Sequence, residues 1–515
     1  MNPLSLLRPP RVHVPLLLSV ALVLRLVLAA QGGQYYFGDE ERYDRGVVLY
    51  QALAAGDLPQ VRAQVALPEH ALFPWLTALV TAGQHLLAHG TSHGDWTQPQ
   101  NVAQTMWLGA ALLGLFSVLN LWLVHRLALV AGASAAAAGW ALLLMTASNT
   151  AFYHARHLLP YDCAISAALL ALLVGIRANR SGPAWTSGLL IGVTYGLYNG
   201  YWFLVPVIWL VHAVAHRSKP NRWRLMIWSA LGTATSLLLP VAAGAALGGD
   251  QYWATLRTFS RSVTLGRFDE AWSLPWEYLW HAEGAVGVAV IVAVAFAGWR
   301  QWRQRTRPPP WVVVTALAFL GAYALLLVFA QVLEIFVVYA RTVKPFIPPL
   351  ALLGGWAWAE LLAGRPRWQC AAIAALILGA GFNFAPHFSR IFPREVEAVV
   401  MRHFGNPKRT LGVAGSLYVP PRAPVDRPDL ALVNAQLLYP VRSLLELPAG
   451  TTLLRVAHPL AYKPFQYECH TPRERALLRR HDLSIRLIHL ARPADLPDNP
   501  PLSMLYLPAD YPTGR

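Results

Sequence analysis

The sequence predicts an all-α polytopic membrane domain of about eleven transmembrane helices, followed by a small C-terminal α/β domain. Three observations predict this fold class. Of the 515 residues, 55% are hydrophobic and only 13% are charged, whereas soluble domains carry about a quarter charged residues. Apolar stretches near the roughly 17–25 residues that cross a bilayer as a helix recur along the chain. The composition then changes beyond about residue 387, which predicts a membrane domain over 1–386 and a second domain over 387–515.

Length and polar breaks place the spans at 12–30, 102–125, 134–152, 160–177, 184–197, 200–215, 225–248, 284–299, 311–331, 345–363 and 369–385. The first is interpreted as a retained helix, because it lacks a clear small-residue cleavage site and many spans follow it. The segment 70–88 is also apolar, but a crossing there would reverse every later loop. We therefore predict a helix lying at the outer interface, and two long outer loops over 31–101 and 249–283.

The distribution of charge predicts the orientation. Basic residues concentrate in alternating connections, and before residue 390 only one acid, Glu360, shares their side. The positive-inside rule makes the basic side cytoplasmic. The N-terminus is then cytoplasmic and the C-terminal domain lies outside. The net charge of +16 is explained by these connections, so it does not indicate a nucleic-acid partner.

The C-terminal domain is predicted from alternating strand and helix patterns. Strands are expected at 410–414, 430–433, 452–456 and 484–491, with helices at 394–404 and 471–481. The segment has no P-loop, no glycine-rich dinucleotide fingerprint and no paired CxxC. No catalysis is assigned to it, and acceptor binding and structural support are its two alternatives.

Three consecutive acids, Asp39, Glu40 and Glu41, follow the first span. Acids this close to a membrane are costly unless they are solvated, paired or used. A carboxylate there can act as a general base on an acceptor hydroxyl or amine. The alternative is a solvated loop that leads into an interfacial helix.

A second polar group precedes the span 160–177. Asp162 falls at or just inside the predicted membrane boundary, which is expensive without a purpose. Arg156, with His154 and His157, can neutralise it or bind a phosphate. A structural salt bridge is the alternative. Arg25, inside the first span, either snorkels to the interface or lines a cavity.

Four motifs occur in order along roughly residues 12–385: Gly38-Asp39-Glu40 after the first span, Leu-Phe-Pro-Trp-Leu at 72–76, the pair Arg156 and Asp162, and the Arg/Pro-rich segment 339–350. The ordered set and the predicted topology resemble the GT-C glycosyltransferases. The nearest branch is the group of protein O-mannosyltransferases and lipid A aminoarabinose transferases.

The resemblance implies roles for the acids. Asp39 matches the first-loop aspartate that acts as the catalytic base, Glu40 completes that acidic pair, and Asp162 matches the second-loop acid. The resemblance implies no required cofactor. A divalent metal ion is nevertheless compatible with these three carboxylates, which are hard oxygen ligands.

The resemblance also implies cations for a donor phosphate. His70 stands where the group has a His/Lys-Pro-Pro motif, although Ala-Leu follows it here. Arg341 and Lys344 would lie near the donor phosphate or its lipid-facing cavity, and Arg156 is a further candidate. Such fixed cations stabilise a phosphate leaving group.

The implied activity is sugar transfer from a polyprenyl-phosphate donor to a lipid, glycan or protein acceptor, with inversion, on the periplasmic side of a bacterial inner membrane. A transporter is one rival, although no repeat is found and the acids lie at the boundary rather than mid-span. An O-antigen polymerase or ligase, which would share the donor class, and a purely structural membrane protein are the others.

Overall fold

The computed structural model describes residues 13–30, 34, 40–88, 105–264, 274–333, 340–388, 406–411, 426–434, 448–457 and 484–489. Before the C-terminal strands, these residues are mostly helical. The helices up to residue 264 are α1 (Val14–Ala30), α2 (Glu41–Ala55), α3 (Leu58–Val65), α4 (Phe73–Ala88), α5 (Met106–Val130), α6 (Ala135–Ala147), α7 (Asn149–Tyr153), α8 (Tyr161–Arg177), α9 (Ser181–Leu197), α10 (Leu204–Ala215) and α11 (Arg222–Thr264). The later helices are α12 (Leu274–Arg303), α13 (Pro310–Leu327), α14 (Ala340–Val343), α15 (Ile347–Leu362) and α16 (Pro366–Phe388).

Every predicted span coincides with a helix, but the helices differ in length. Among the described residues, five helices are long and apolar enough to cross a membrane: Met106–Val130, Arg222–Thr258, Ala282–Arg303, Pro310–Ala330 and Pro366–Ala385. A sixth candidate is the pair α6 and α7, which bends by 58°. The helices at the other five predicted spans have 12 to 17 residues. The protein is thus a membrane protein with several spans, and the number eleven stays a prediction.

Several helices expose large apolar side chains, and contact of these side chains with water is unfavourable. Leu239 of α11 is 67% exposed, and Leu378 and Phe382 of α16 are 73% and 86% exposed. Contiguous apolar surface of this kind marks a membrane or a protein interface. On helices of this length and hydropathy, lipid is the natural environment.

Glycines set the closest helix contact. On α9, a Cβ on Gly188 or Gly192 would collide with Ser229 or Ser236 of α11, and on α11 a Cβ on Gly232 would collide with the backbone of Trp185. Small residues spaced by four let helix backbones approach closely in membranes. The short helix α9 is therefore held by packing rather than by length.

Among the described residues of the predicted first outer loop, 31–101, there are three helices, α2, α3 and α4. Asp57 caps α3 by accepting a hydrogen bond from Gln60 N–H at 3.1 Å. The predicted helix at 70–88 begins at Phe73, after His70 adopts a left-handed backbone with φ 48°. Its position at a membrane interface stays a prediction.

The C-terminal strands form one parallel sheet in the order β1 (Asn406–Leu411), β2 (Asp426–Asn434), β3 (Thr452–Ala457) and β4 (Ser484–His489). Each overlaps a predicted strand. Parallel neighbours require crossover connections, which fits the predicted βα alternation. The predicted helices 394–404 and 471–481 lie outside the described residues, so the complete α/β domain stays a prediction.

Candidate active site

The centre of the candidate site is a buried ion pair between two predicted site residues. Lys344 lies in the 3-10 turn Lys344–Phe346, and its Nζ is 2.7 Å from Oδ2 of Asp162 in the first turn of α8. Lys344 is 2% exposed. Burying two charges is costly unless they pair with good geometry and their remaining lone pairs are satisfied.

Asn120 on α5 satisfies the second oxygen of Asp162. Its Nδ2 donates to Asp162 Oδ1 at 3.2 Å and to the Asp162 carbonyl at 3.0 Å. Ser166 Oγ donates in turn to Asn120 Oδ1 at 2.7 Å. Sequence reasoning missed Asn120, although an asparagine within the apolar run of α5 is a signal that could have found it.

Arg25 adds a second buried cation. It is 2% exposed, and its Nε donates to Ser117 Oγ at 2.9 Å. The guanidinium lies 5.7 Å from the ring centre of Phe152 and interacts electrostatically with Asp162. Arg25 is therefore buried between helices, and its side chain does not reach the membrane interface as a snorkelling arginine would.

Glu40 connects the first outer loop to the segment before α8. It is fully buried, and its Oε1 accepts the Leu158 N–H at 2.8 Å. Its Oε2 accepts His157 Nδ1–H at 3.3 Å. The backbone carbonyl of Arg156 accepts a hydrogen bond from Gln34 Nε2 at 3.1 Å. Asp39 lies outside the described residues, but its neighbour Glu40 is thus anchored beside the second polar group.

Arg156 is fully buried in the 3-10 turn His154–Arg156. Its Nη1 donates to the His387 carbonyl at 3.4 Å, and it interacts electrostatically with Glu40. His154, in the same turn, interacts electrostatically with Lys344. The structure therefore brings Glu40 and Lys344, which are distant in the sequence, to the segment that carries Arg156 and Asp162.

Arg341 lies one turn before Lys344, in α14. Its backbone carbonyl accepts a hydrogen bond from Tyr201 Oη at 3.0 Å, and the residue is partly buried. Because the 3-10 turn directly follows α14, Arg341 and Lys344 lie on the same polar segment. Their contact with a donor phosphate stays a prediction.

His70 is fastened to the turn that follows α9. Its N–H donates to Asn199 Oδ1 at 2.8 Å, and its Nδ1 accepts the Asn199 N–H at 3.2 Å. Its Nε2 therefore carries the proton and lies 3.3 Å from Glu69 Oε1. The ring also stacks on Tyr198, with centres 5.1 Å apart. Both ring nitrogens have protein partners, and the phosphate-binding role of His70 stays a prediction.

The charges around His70 shift two pKa values. Burial and the charge of Arg42 lower the pKa of His70 to about 4, against an opposing hydrogen bond to Glu69. Burial alone would raise the pKa of Glu69, but the His70 hydrogen bond and the Arg42 charge lower it to about 2. At neutral pH, His70 is therefore a neutral imidazole beside an ionised Glu69.

A divalent metal ion would need several oxygen ligands gathered in one place. Among the described residues, no three His, Cys, Asp or Glu side chains gather closely enough to hold a metal ion. Both oxygens of Asp162 already have partners in Lys344 and Asn120. Asp39, one of the three carboxylates that could serve as oxygen ligands, lies outside those residues. The divalent metal therefore stays an expectation.

A large apolar cavity is lined in part by the turn that carries Lys344. Its volume is about 750 Å³, within the usual range of ligand sites. Its lining comes from α5, α8, α10, α13 and α15 and includes Pro345 and Phe346, which directly follow Lys344, and also Arg217 and Arg307. We call it the apolar groove.

The fold and site define a class: a polytopic membrane protein with a buried charged site at the end of an apolar groove. No protein-family model matches the sequence, and no curated protein matches it. Solved structures do resemble it. The ArnT of Cupriavidus metallidurans bound to undecaprenyl phosphate superposes with a TM-score of 0.49 at 15% identity, covering 76% of this chain and 68% of that one.

An archaeal protein shows a similar degree of likeness. The apo form of the Archaeoglobus fulgidus oligosaccharyltransferase superposes with a TM-score of 0.46 at 11% identity. The match covers 79% of this chain and 60% of that one, so this chain spans about three fifths of that protein. Both likenesses are of overall fold alone. The TM-scores lie below 0.5, so the function proposed below rests on the site itself.

Proposed function

We propose that the protein is a GT-C-type glycosyltransferase that moves a sugar from a polyprenyl-phosphate donor to a lipid, glycan or protein acceptor. The observation that carries the proposal is the buried Asp162–Lys344 pair, 2.7 Å apart, beside the end of an apolar groove of about 750 Å³. A polyprenyl-phosphate donor needs both features. The groove would bind its isoprenoid chain, and the cations would bind its phosphate.

The groove supports a donor with an apolar tail. Its walls are mostly apolar side chains of α5, α8, α10, α13 and α15, and Phe346 contacts Phe203 and Phe319, with ring centres 6.1 and 5.2 Å away. Burial of an isoprenoid chain there is favourable by about 25 cal/mol for each Å² of apolar surface. A nucleotide-sugar donor has no chain to place in the groove.

The cations support a phosphate leaving group. As the bond between the anomeric carbon and the phosphate oxygen breaks, the phosphate takes the electron pair and gains negative charge. Lys344, Arg341 and Arg156 would stabilise that charge, and His70 would join them by donating its Nε2–H to the phosphate instead of to Glu69. Groups already fixed in a water-poor site do so without reorganising during the reaction.

The acids support activation of the acceptor. The acceptor oxygen or nitrogen attacks the anomeric carbon from the side opposite the phosphate, and its proton passes to the carboxylate of Asp39. Glu40 completes the acidic pair, and Asp162 holds Lys344. One displacement of this kind inverts the anomeric configuration. A well-placed base contributes roughly 10²–10⁴-fold.

The charge distribution supports the location. Basic connections on one side predict that this side is cytoplasmic. The charged site and the C-terminal domain would then lie on the periplasmic face of a bacterial inner membrane. Nucleotide sugars are not expected there, which agrees with a lipid-linked donor.

The test is a lipid and glycan profile of a deletion strain beside strains carrying the wild-type gene and Asp39→Asn. We expect one glycoconjugate to disappear in the deletion strain, to return with the wild-type gene and to stay absent with Asp39→Asn. Altered uptake of a solute with an unchanged glycan profile would instead indicate a transporter.

A further inference from the structure

A further buried carboxylate, Glu283, holds the break between α6 and α7. It is 5% exposed. Its Oε1 accepts hydrogen bonds from Ser148 Oγ and Thr150 N–H, both at 2.9 Å, and its Oε2 accepts Asn149 N–H at 2.8 Å. The first N–H groups of a helix have no partner within the helix. The carboxylate satisfies two of them at the start of α7.

Glu283 itself stands at a helix break. Gly284, the next residue of α12, has φ 52° and ψ −136°, a backbone conformation that glycine adopts far more easily than other residues. Two interrupted helices therefore meet at this carboxylate. A polar group buried at such a meeting point in a membrane domain is a candidate for function.

The contacts continue from α7 to Arg156. Asn149 Nδ2 donates to the Ala282 carbonyl at 2.9 Å, and Asn149 Oδ1 accepts His387 Nε2–H at 2.7 Å. The His387 carbonyl then accepts Arg156 Nη1 at 3.4 Å. A chain of hydrogen bonds thus joins Glu283 to the Arg156 guanidinium through α7 and α16.

The direction of α7 depends on these contacts. A helix of five residues is not stable in isolation. The bend of 58° from α6 is held by Glu283 at one end, and Phe152 stacks on Phe384 with ring centres 4.1 Å apart. Charge-assisted hydrogen bonds such as those of Glu283 are the stronger kind.

We propose that Glu283 is a positioning residue: it fixes the direction of α7 and thereby holds Arg156 where it meets the donor phosphate. This inference rests on the proposed function, in which Arg156 contacts that phosphate. Glu283 acts through Arg156 and not on the donor. Misplacement of a binding group by about 1 Å can cost up to about 10²-fold.

Glu283→Gln is the sharpest variant, because it keeps size and removes charge. In either orientation the amide N–H₂ must then face a backbone N–H of α7, from Asn149 or Thr150. Two donors facing each other push the start of the helix away. Glu360→Gln on α15 is the matched control, since that side chain is exposed. Asn149→Ala breaks the chain one step later and replaces Glu283→Gln if that variant does not accumulate.

The experiment is a double-mutant cycle on the full chain in lipid nanodiscs, with undecaprenyl phosphate as the probe. We expect Glu283→Gln and Arg156→Gln each to weaken binding about tenfold or more. We expect the double variant to bind no more weakly than Arg156→Gln alone, because coupled groups are not additive. Glu360→Gln should bind like the wild type.

Two results would overturn the inference alone: normal binding in Glu283→Gln while Arg156→Gln is weakened, or a double variant whose loss is the full product of the two single losses. Two others would overturn the proposed function and the inference with it: no probe binding by the wild type, or unchanged binding in Arg156→Gln. A purely structural role would lower thermal stability and the amount of folded protein, and it would not produce the non-additive loss of affinity.

Discussion

Lys344 Nζ and Asp162 Oδ2 lie 2.7 Å apart although 182 residues separate them along the chain. The pair joins the turn before α15 to the first turn of α8 and stands beside the apolar groove. Each residue restrains the other, so the pair determines both the shape of the site and the charge offered to an anionic donor.

Breaking this pair should destabilise the protein. Removing one partner leaves a buried charge without compensation, which costs about 3–5 kcal/mol. We expect Asp162→Leu and Lys344→Met to lower the melting temperature of the purified protein in detergent, and the double variant to recover most of that loss. None of the three variants, the two single ones and the double one, should transfer sugar. A double variant as unstable as the worse single variant would contradict a buried pair.

Asp39→Asn should remove most of the transfer activity, about 10²-fold or more, because an amide cannot accept the acceptor proton. The measurement is turnover of a lipid-linked donor by purified protein, with folding and membrane insertion checked alongside. Asp57→Asn, in the same outer loop, is the control: asparagine caps a helix as well as aspartate does, so α3 should be unaffected. Near-normal transfer by Asp39→Asn would show that another group is the base.

Acidification should destabilise the protein through His70. The pKa of this imidazole is about 4 in the folded chain, lowered by burial and by Arg42, against 6.5 for an unperturbed histidine. The unfolded state then binds more protons between pH 4 and 6.5. The stabilisation by the neutral imidazole is therefore complete above pH 6.5 and falls as the pH drops towards 4, by up to about 3 kcal/mol.

The measurement is the melting temperature against pH for the wild type and His70→Asn, since asparagine tolerates the left-handed backbone. We expect the wild-type curve to fall below pH 6.5 and the difference between the two proteins to shrink. Glu69 adds a lower window, because its folded pKa of about 2 lies below the ordinary 4.5. Its contribution is complete above pH 4.5 and declines from there to pH 2. Parallel curves between pH 4 and 6.5 would refute the assignment to His70.

Filling the apolar groove should weaken donor binding. Ala318 of α13 lines the groove, so Ala318→Trp would occupy space that an isoprenoid chain needs. We expect about tenfold weaker binding of undecaprenyl phosphate, because apolar contact area is lost. Leu320→Trp is the control on the same helix, at a residue that is 56% exposed. Equal binding by both variants and the wild type would place the lipid chain elsewhere.

Much of the helical plan could be predicted from hydropathy. All eleven predicted segments coincide with helices, because a long apolar run in a membrane must satisfy its backbone within itself. Charge and length could not decide how many helices cross the membrane. Helices such as α9 and α10 have only 17 and 12 residues, and their burial comes from neighbours such as α11 rather than from their own length.

The site was predicted in part. The residues Glu40, Arg156, Asp162 and Lys344 were singled out as separate motifs, and the structure brings them together. The contacts of Asn120 and Glu283 were not predicted, because each acts through a partner far along the chain. His70 was predicted from its place in a motif, and the structure shows both its nitrogens engaged by Asn199 and Glu69. Its part in donor binding remains a prediction.

The sequence by itself determined which segments are apolar helices and which ends carry charge, because hydropathy and charge are properties of neighbouring residues. Only the tertiary structure decided that Asp162 faces Lys344, that Glu283 closes the break before α7, and that the apolar groove is lined by Pro345 and Phe346, directly after Lys344. Those relationships depend on how helices from distant parts of the chain pack, and no local pattern of residues encodes the partner of a buried charge.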